Sequence, residues 1–276
     1  MAVSKVGILY HPMIKATQVK AGELKEFLSS RGASIWLGSA WDTEKARAQI
    51  SGTDLLLSVG GDGTILRAAQ VVIPGKTPIT GINLGKLGFL TELDADEARE
   101  KLPSLLKKEG WIDERAMLRV TLPGRKPRQY HALNDVVVAR GEIARVIRIE
   151  ARVDNQHLTT YKADGVVVAT ATGSTGYALA AGGPILYPPS RDFLLVPVAP
   201  HLSFDHAVVL PGTAELDLHI TAVHPATLSI DGHINLPLAS GDTIIIKRSP
   251  YKIRFLRSRP EASFYGSLEE RLKGKR

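Results

Sequence analysis

The apolar run Asp54–Val59 (DLLLSV) stops abruptly on Gly60-Gly61-Asp62-Gly63-Thr64, and the segment behind it, Ile65–Val72, carries apolar residues at helical spacing. A buried strand, a turn crowded with glycine and a helix opening at Thr64 make one strand–turn–helix unit, and the first 112 residues repeat that pattern. Strands are predicted at Lys5–Tyr10, Ser34–Leu37 and Pro78–Ile82, with helices at Lys15–Ser30 and Thr43–Ile50 between them. Asp94 and Glu97 are spaced as a cap for a further helix, interrupted or restarted at Pro103. Alternation of this kind predicts a parallel sheet in an open α/β domain over residues 1–112.

From residue 113 to 257 the pattern becomes β-rich. Leu118–Leu122, Val136–Ala139, Arg145–Val153, Leu158–Lys162 and Gly165–Ala169 read as strands, followed by Leu194–Val198, Ala207–Leu210, Glu215–Ile220, Thr227–Ile230, Thr243–Lys247 and Lys252–Leu256. Turn signals separate them at Asp154-Asn155, Pro211-Gly212, Asp231-Gly232 and Ser240-Gly241-Asp242. Residues 258–276 form a tail with a short helix over Ser263–Leu272. A small-molecule site is expected where two such domains meet.

Composition narrows the function. The chain has no cysteine, which excludes disulfides, thiolate nucleophiles and Cys-ligated zinc, and its eight histidines form no His-x-x-x-His pair. A net charge of +7 suits an anionic ligand, yet the basic residues are scattered and aromatics reach only 6%, so no stacking stripe for nucleic acid is evident. Phosphorylated small molecules fit better. No apolar run approaches the roughly 20 residues of a membrane span. The start of the chain lacks a signal-peptide core and reads straight into a strand, so a cytoplasmic location is expected.

Glycines at 60, 61 and 63 let the backbone approach a bulky anion, and the first turn of the following helix offers outward N–H groups and a positive dipole end. The motif lacks the Gly-Lys-Ser/Thr of a Walker loop and the Gly-x-Gly-x-x-Gly of dinucleotide docking. A tight turn capped by Asp62 is the plainer reading. Yet a carboxylate inside a phosphate cradle repels its ligand unless it accepts a proton from an attacking hydroxyl or holds Mg²⁺.

A second constellation lies in the β-rich half. Asn134-Asp135 opens an apolar strand, and Lys162-Ala163-Asp164 precedes another that runs into Thr170-Ala171-Thr172-Gly173-Ser174-Thr175-Gly176-Tyr177. Hydroxyl and backbone groups there can bond a nucleobase edge while Tyr177 stacks on its face. An Asx turn and a core tyrosine are the plainer alternatives.

Gly60–Thr64 (GGDGT), Gly81–Leu90 (GINLGKLGFL), Asn134-Asp135 and Asp164–Pro184, with Val196–Ser203, Asp231-Gly232, Gly241-Asp242 and Phe264-Tyr265, occur in the order and spacing of the ATP–NAD kinase family, which the chain resembles over nearly its whole length. GGDGT is shared with lipid and sugar kinases; the block centred on Thr-Gly-Ser-Thr selects NAD kinase. The resemblance implies a Rossmann-like N-terminal domain and a β-rich C-terminal domain with the site between them. It implies transfer of a phosphoryl group from ATP, or inorganic polyphosphate, to the adenosine-ribose 2′-hydroxyl of NAD. A divalent cation such as Mg²⁺ and a homodimer or homotetramer are expected with it, and no nucleic-acid or membrane partner.

Carried over by position, Gly60, Gly61, Asp62, Gly63 and Thr64 would bind the donor, with Asp62 the general base. Asp62 and Gly63 would also touch NAD, and Arg67 would lie near its phosphates. Asn134 and Asp135 would grip the ribose hydroxyls, Arg145 and Lys162 would supply NAD contacts, and Asp164 would hold the nicotinamide end. Thr175, Gly176, Tyr177 and Ala178 would surround adenine, with Ala180 and His233 at further contacts. The sequence departs from the family pattern at Gly176, where alanine is usual, at Ala180, which lacks a hydroxyl, and at Asp205-His206, where an Arg-Pro pair is usual. A lipid or sugar kinase, and a non-catalytic NAD-binding regulator, are the alternatives.

Overall fold

The alternating segments of the first 110 residues fold as consecutive βα units. A computed structural model describes residues 3–85, 88–107, 109–124, 127–141, 146–201, 204–221, 225–261 and 263–273. Two compact units emerge, residues 1–114 with 253–276 and residues 115–252. The first holds β1 (Lys5–Tyr10), α1 (Lys15–Ser29), β2 (Ser34–Ser39), α2 (Thr43–Gln49), β3 (Leu55–Val59), α3 (Asp62–Val72), β4 (Ile79–Asn83), β5 (Leu93–Asp94) and α4 (Ala98–Leu106). Its strands pair in parallel in the order β2-β1-β3-β4, with Lys5 opposite Ser34, Val6 opposite Leu55 and Leu56 opposite Ile79. Every residue of β3 and β4 is buried, which is why both read as unbroken apolar runs rather than alternating ones. One face carries α1 and α4, whose Ala21, Leu24, Leu28, Leu102 and Leu105 pack with Val6, Ile8, Leu55 and Leu57.

The chain leaves β1 for β2 on one side and then builds β3 on the other, so the winding of the sheet reverses between β1 and β3. Open α/β sheets take ligands outside the carboxyl ends of the strands at such a point. The loops found there begin at His11 and at Gly60, and the His11 N–H donates to the Val59 carbonyl at 3.3 Å.

The second unit is a β-sandwich. In chain order come β6 (Trp111–Leu122), whose residues 111–114 belong to the first unit, β7 (Arg128–Ala132), β8 (Asp135–Arg140), β9 (Ile147–Val153), β10 (Gln156–Ala163), β11 (Gly165–Thr170), a 3₁₀ turn (Gly173–Thr175) and α5 (Tyr177–Ala180). Then follow β12 (Phe193–Val198), β13 (Val208–Leu210), β14 (Glu215–Thr221), β15 (Ala226–Ile230), β16 (Ile234–Leu238) and β17 (Thr243–Arg257), whose end lies in the first unit. The order β13-β12-β11-β8-β15-β16 forms one antiparallel sheet. Its Val136, Val138, Val166 and Val168 meet Ile149, Ala151, Leu216, Leu218, Ile244 and Ile246 of the facing strands. The alternate residues Val137, Val167 and Ala169 point the other way and bury Ala178 of α5 together with Leu194 and Val196. Strands β8 and β11 are thus apolar on both faces, and the outer face seats the one-turn helix that begins at Tyr177.

Several sequence expectations shift. Helix α3 opens at Asp62, with Gly61 as its N-cap, rather than at Thr64. Glu97, not Asp94, is the N-cap of α4, and the Glu97 carboxylate accepts the Asp94 N–H instead. Pro103 sits inside α4 without ending it, because Leu102 and Leu105 carry the helix across the core. The two strands expected at Thr243–Lys247 and Lys252–Leu256 are one, since the residue before Pro250 favours extended backbone. The expected single tail helix divides into α6 (Ser263–Gly266) and α7 (Leu268–Lys273). Strands β7 and β16 were not foreseen; β16 carries Pro237, which an edge strand tolerates. Among the described residues no helix is long and apolar enough to cross a membrane.

A buried ionic knot ties β17 to the rest of the first unit. Arg257 reaches Asp113 at 3.2 Å and Glu92 at 3.3 Å, and all three side chains are almost fully buried. Removing one partner leaves uncompensated buried charge, so Arg257→Ala is expected to lower unfolding free energy by about 3–5 kcal/mol. Urea unfolding monitored by circular dichroism reads this directly; a loss under about 1 kcal/mol, the range of exposed pairs, would contradict it.

Candidate functional site

In the first unit the site is built on the turn between β3 and α3. Gly60 has φ +151°, which side-chain-bearing residues rarely adopt, and Gly61 and Gly63 are exposed on either side of Asp62. The Thr64 N–H donates to the Gly61 carbonyl at 2.9 Å, and by helix geometry the N–H groups of Asp62 and Gly63 before it have no intrahelical carbonyl to bond. Thr64 is buried, and its Oγ1 finds no hydrogen-bond partner among the described residues. Asp62 is half-buried. Its carboxylate does not cap its own helix: it accepts the N–H of Phe89 at 2.8 Å and of Leu90 at 3.1 Å. A Cβ on Gly88 would stand 2.2 Å from Asp62 Oδ1, so glycine there lets the segment close over the carboxylate. Among the described residues these two hydrogen bonds use half of what an ionised carboxylate can accept, which leaves acceptor capacity for a hydroxyl.

Arg67 lies one turn further along α3, its guanidinium 4.1 Å from the centre of the Trp41 ring, and His11 packs on the same ring at 4.3 Å. Burial lowers the Arg67 pKa from its ordinary value. This stack stands beside the loop outside β1.

In the second unit three loops converge on Asn134 and Asp135. Asp231, at the tip of the β15–β16 hairpin, is buried, and its carboxylate accepts the N–H groups of Leu133 (2.9 Å), Asn134 (2.7 Å) and Asp135 (3.2 Å). Positive φ at Asp231 and Gly232 makes the tight turn that aims this carboxylate back at the chain. The third loop is the hydroxyl-rich turn. Thr170 Oγ1 donates to the Leu133 carbonyl at 2.6 Å, and a Cβ on Gly173 would lie 2.1 Å from the Asn134 carbonyl oxygen, so the turn rests directly on the Asn-Asp pair. A Cβ at Gly176 would lie 3.8 Å from Asn134 Nδ2 and 3.9 Å from Asp135 Oδ2. Gly176 therefore leaves room beside the polar pair.

The electrostatics of this cluster follow from burial. Desolvation pushes the Asp135 carboxyl up to about 6. Asp231 is pushed up to about 7, chiefly by burial and further by the neighbouring Asp135, while its backbone hydrogen bonds pull the other way. Asn134 Oδ1 is buried with no partner among the described residues. An orphaned acceptor beside a buried carboxyl leaves hydrogen-bonding capacity that a donor group can fill.

Tyr177 is 46% exposed and so is not a core residue. Its neighbour Ala178 is fully buried beneath α5 and can offer a ligand only backbone groups. Thr175 is half-buried beside Gly176, and Ala180 is exposed on the same turn of helix. Asp164 is engaged by Arg140 at 3.0 Å. Lys162 is exposed on β10, and its carbonyl accepts the His201 N–H. His233 Nδ1 lies 3.0 Å from the Asp231 carbonyl. Arg145 lies outside the described residues. Sequence reasoning missed the role of Asp231, read there as a turn residue, and the hold of Phe89 and Leu90 on Asp62. The repeated glycines of Gly81–Leu90 were the available signal for the latter, because they mark close backbone approach.

Residues 6–110 match the ATP-NAD kinase N-terminal domain and residues 133–258 the ATP-NAD kinase C-terminal domain. The chain is 48% identical to an NAD kinase of Dehalococcoides mccartyi over 98% of this chain and 96% of that one. It is 39% identical to an NAD kinase of Chloroflexus aurantiacus over 98% and 99%. Yeast NADH kinase complexed with NADH superposes with a TM-score of 0.87 at 26% identity, covering 99% of this chain and 88% of that one. An NAD kinase from Archaeoglobus fulgidus in complex with ATP gives a TM-score of 0.79 at 26% identity, covering 96% and 98%. The chain belongs to the ATP-NAD kinase family.

Proposed function

We propose that this chain transfers the terminal phosphoryl group of ATP, or of inorganic polyphosphate, to the 2′-hydroxyl of the adenosine ribose of NAD, giving NADP. The observation that carries the reading is the Asp62 carboxylate, held by two backbone N–H groups within a glycine turn at a helix start. These relatives are named NAD kinase, which does not favour a lipid or sugar kinase.

On this reading the turn Gly60–Thr64 cradles the donor phosphates. Asn134 and Asp135 bond the ribose hydroxyls, Tyr177 stacks on adenine, and Asp164, Lys162 and His233 contact the rest of the dinucleotide. Asp62 orients the 2′-hydroxyl and accepts its proton as the phosphoryl group arrives. Both hydrogen bonds found on the Asp62 carboxylate among the described residues come from the main chain, so backbone geometry aims it. Among the described residues no three His, Asp or Glu side chains group to hold a metal. A Mg²⁺ carried mainly by the donor's phosphates would need only one or two protein carboxylates. When bound it would neutralise phosphate charge. Residues 1–112 would serve the donor and 113–257 the acceptor, in a cytoplasmic homo-oligomer.

Asp62→Asn keeps the shape of the side chain and one acceptor oxygen but removes its basicity. Its kcat is expected to fall by about 10²–10⁴-fold, the usual worth of general-base help. NAD binding, titrated separately, should stay within about tenfold, since one lost hydrogen bond is worth only ~1 kcal/mol net. Near-normal kcat would remove Asp62 as the base.

Asp135 gives a pH dependence. Ribose hydroxyls donate, so the ionised carboxylate is the form that accepts them. With the carboxyl at about 6, kcat/KM for NAD should climb as pH rises through 6, and Asp135→Asn should flatten that limb. Stability moves in the opposite sense. A carboxyl raised by burial supports the fold most below its unfolded value, and that support is lost as pH rises through about 6. An acid limb unchanged in Asp135→Asn would exclude Asp135 from the ribose contact.

A further inference from the structure

The tail helix α7 reaches the same segment that holds Asp62. Arg271 Nη1 donates to the Gly88 carbonyl at 2.7 Å and to the Phe89 carbonyl at 3.1 Å. The carbonyl of Gly88 and the N–H of Phe89 belong to one planar peptide group, and the carbonyl of Phe89 and the N–H of Leu90 to the next. Each of these two peptide groups is therefore bonded at both ends, to Arg271 through its oxygen and to Asp62 through its nitrogen. Both dipoles run the same way, oxygen toward the cation and N–H toward the anion. Hydrogen bonds in such chains polarise one another. Neighbouring contacts leave the segment little freedom: Gly88 N–H donates to Thr91 Oγ1 at 2.9 Å, and Arg257 Nη1 donates to the Leu90 carbonyl at 2.8 Å. Arg271 is itself aimed, since its Nε donates to Ser267 Oγ at 3.0 Å. Burial lowers the Arg271 pKa, with Arg257 and Arg259 adding repulsion, while Asp62 and Glu92 favour its charge.

We propose that Arg271 is a positioning residue for Asp62, acting through the two peptide groups between Gly88 and Leu90. The tail then belongs to the working parts of the donor-side turn. The proposal rests on the reading of Asp62 as the general base, and it adds a residue that touches neither substrate nor reacting atom. Loss of the guanidinium frees the two peptide groups to tilt, and the carboxylate moves with them. A misplacement of about 1 Å can cost about 100-fold in rate.

Arg271→Ala, Arg271→Lys and Asp62→Asn are compared in the full chain. For Arg271→Ala, kcat is expected to fall by about 10- to 100-fold at temperatures well below its melting transition, with the Kd for NAD close to the parent's. Arg271→Lys should keep part of the activity. Millimolar guanidinium should raise kcat of Arg271→Ala several-fold and leave Asp62→Asn unchanged. Parental kcat in Arg271→Ala would overturn the proposal, and so would a loss that follows the melting temperature and that guanidinium does not rescue. Amide exchange at Phe89 and Leu90 separates this idea from the base assignment. If Asp62→Asn keeps its kcat, the base reading fails by itself. Faster exchange at both amides in Arg271→Ala would still support the coupling, and unchanged exchange would overturn it.

Discussion

A buried carboxylate must find hydrogen-bond donors or give up its charge, and Asp231 finds three in succession on the main chain between Leu133 and Asp135. This contact fixes where strand β8 begins, and with it the side chains of Asn134 and Asp135. The same device recurs in the first unit. Asp62 takes the amides of Phe89 and Leu90, and Glu92 takes those of Ser258 and Arg259. In each case a carboxylate on one element gathers consecutive N–H groups from another. Charge-assisted bonds of this kind are stronger than neutral ones, and consecutive donors set direction as well as distance.

The arrangement demands close backbone approach, and glycine supplies it. Gly88 passes over Asp62 and Gly173 rests on the Asn134 carbonyl, each with no space for a Cβ. Apolar packing then locks the approach. Alternate residues of β8 and β11 fill the sandwich on one face and seat Ala178 on the other, so the helix start that exposes Tyr177 rides on a fixed sheet. Burial has an electrostatic cost, visible in the raised carboxyls of Asp135 and Asp231.

Much of this was legible in the sequence. The unbroken apolar runs at Leu55–Val59 and Gly165–Thr170 announced strands covered on both faces, and the glycines around Asp62 announced a turn built for close approach. Local pattern failed where partners lie far along the chain. Nothing near Asp231 reveals that its carboxylate serves residues almost a hundred positions earlier, or that Arg271 bonds carbonyls at Gly88 and Phe89. A helix cap was the plainer reading of Asp62, because Asp at a helix start usually is one. Its actual donors, Phe89 and Leu90, come from a different loop. Pro103 looked like a break, and tertiary packing carried the helix past it.

The identity of the product tests the account most directly. Purified chain, Mg²⁺, NAD and either ATP or polyphosphate are incubated, and the product is tested with an NADP-specific dehydrogenase and by phosphorus NMR. The account predicts a new phosphate monoester on the 2′-oxygen of the adenosine ribose, with dehydrogenase reduction in proportion. No NADP with either donor, or a phosphate found on another oxygen, would contradict it.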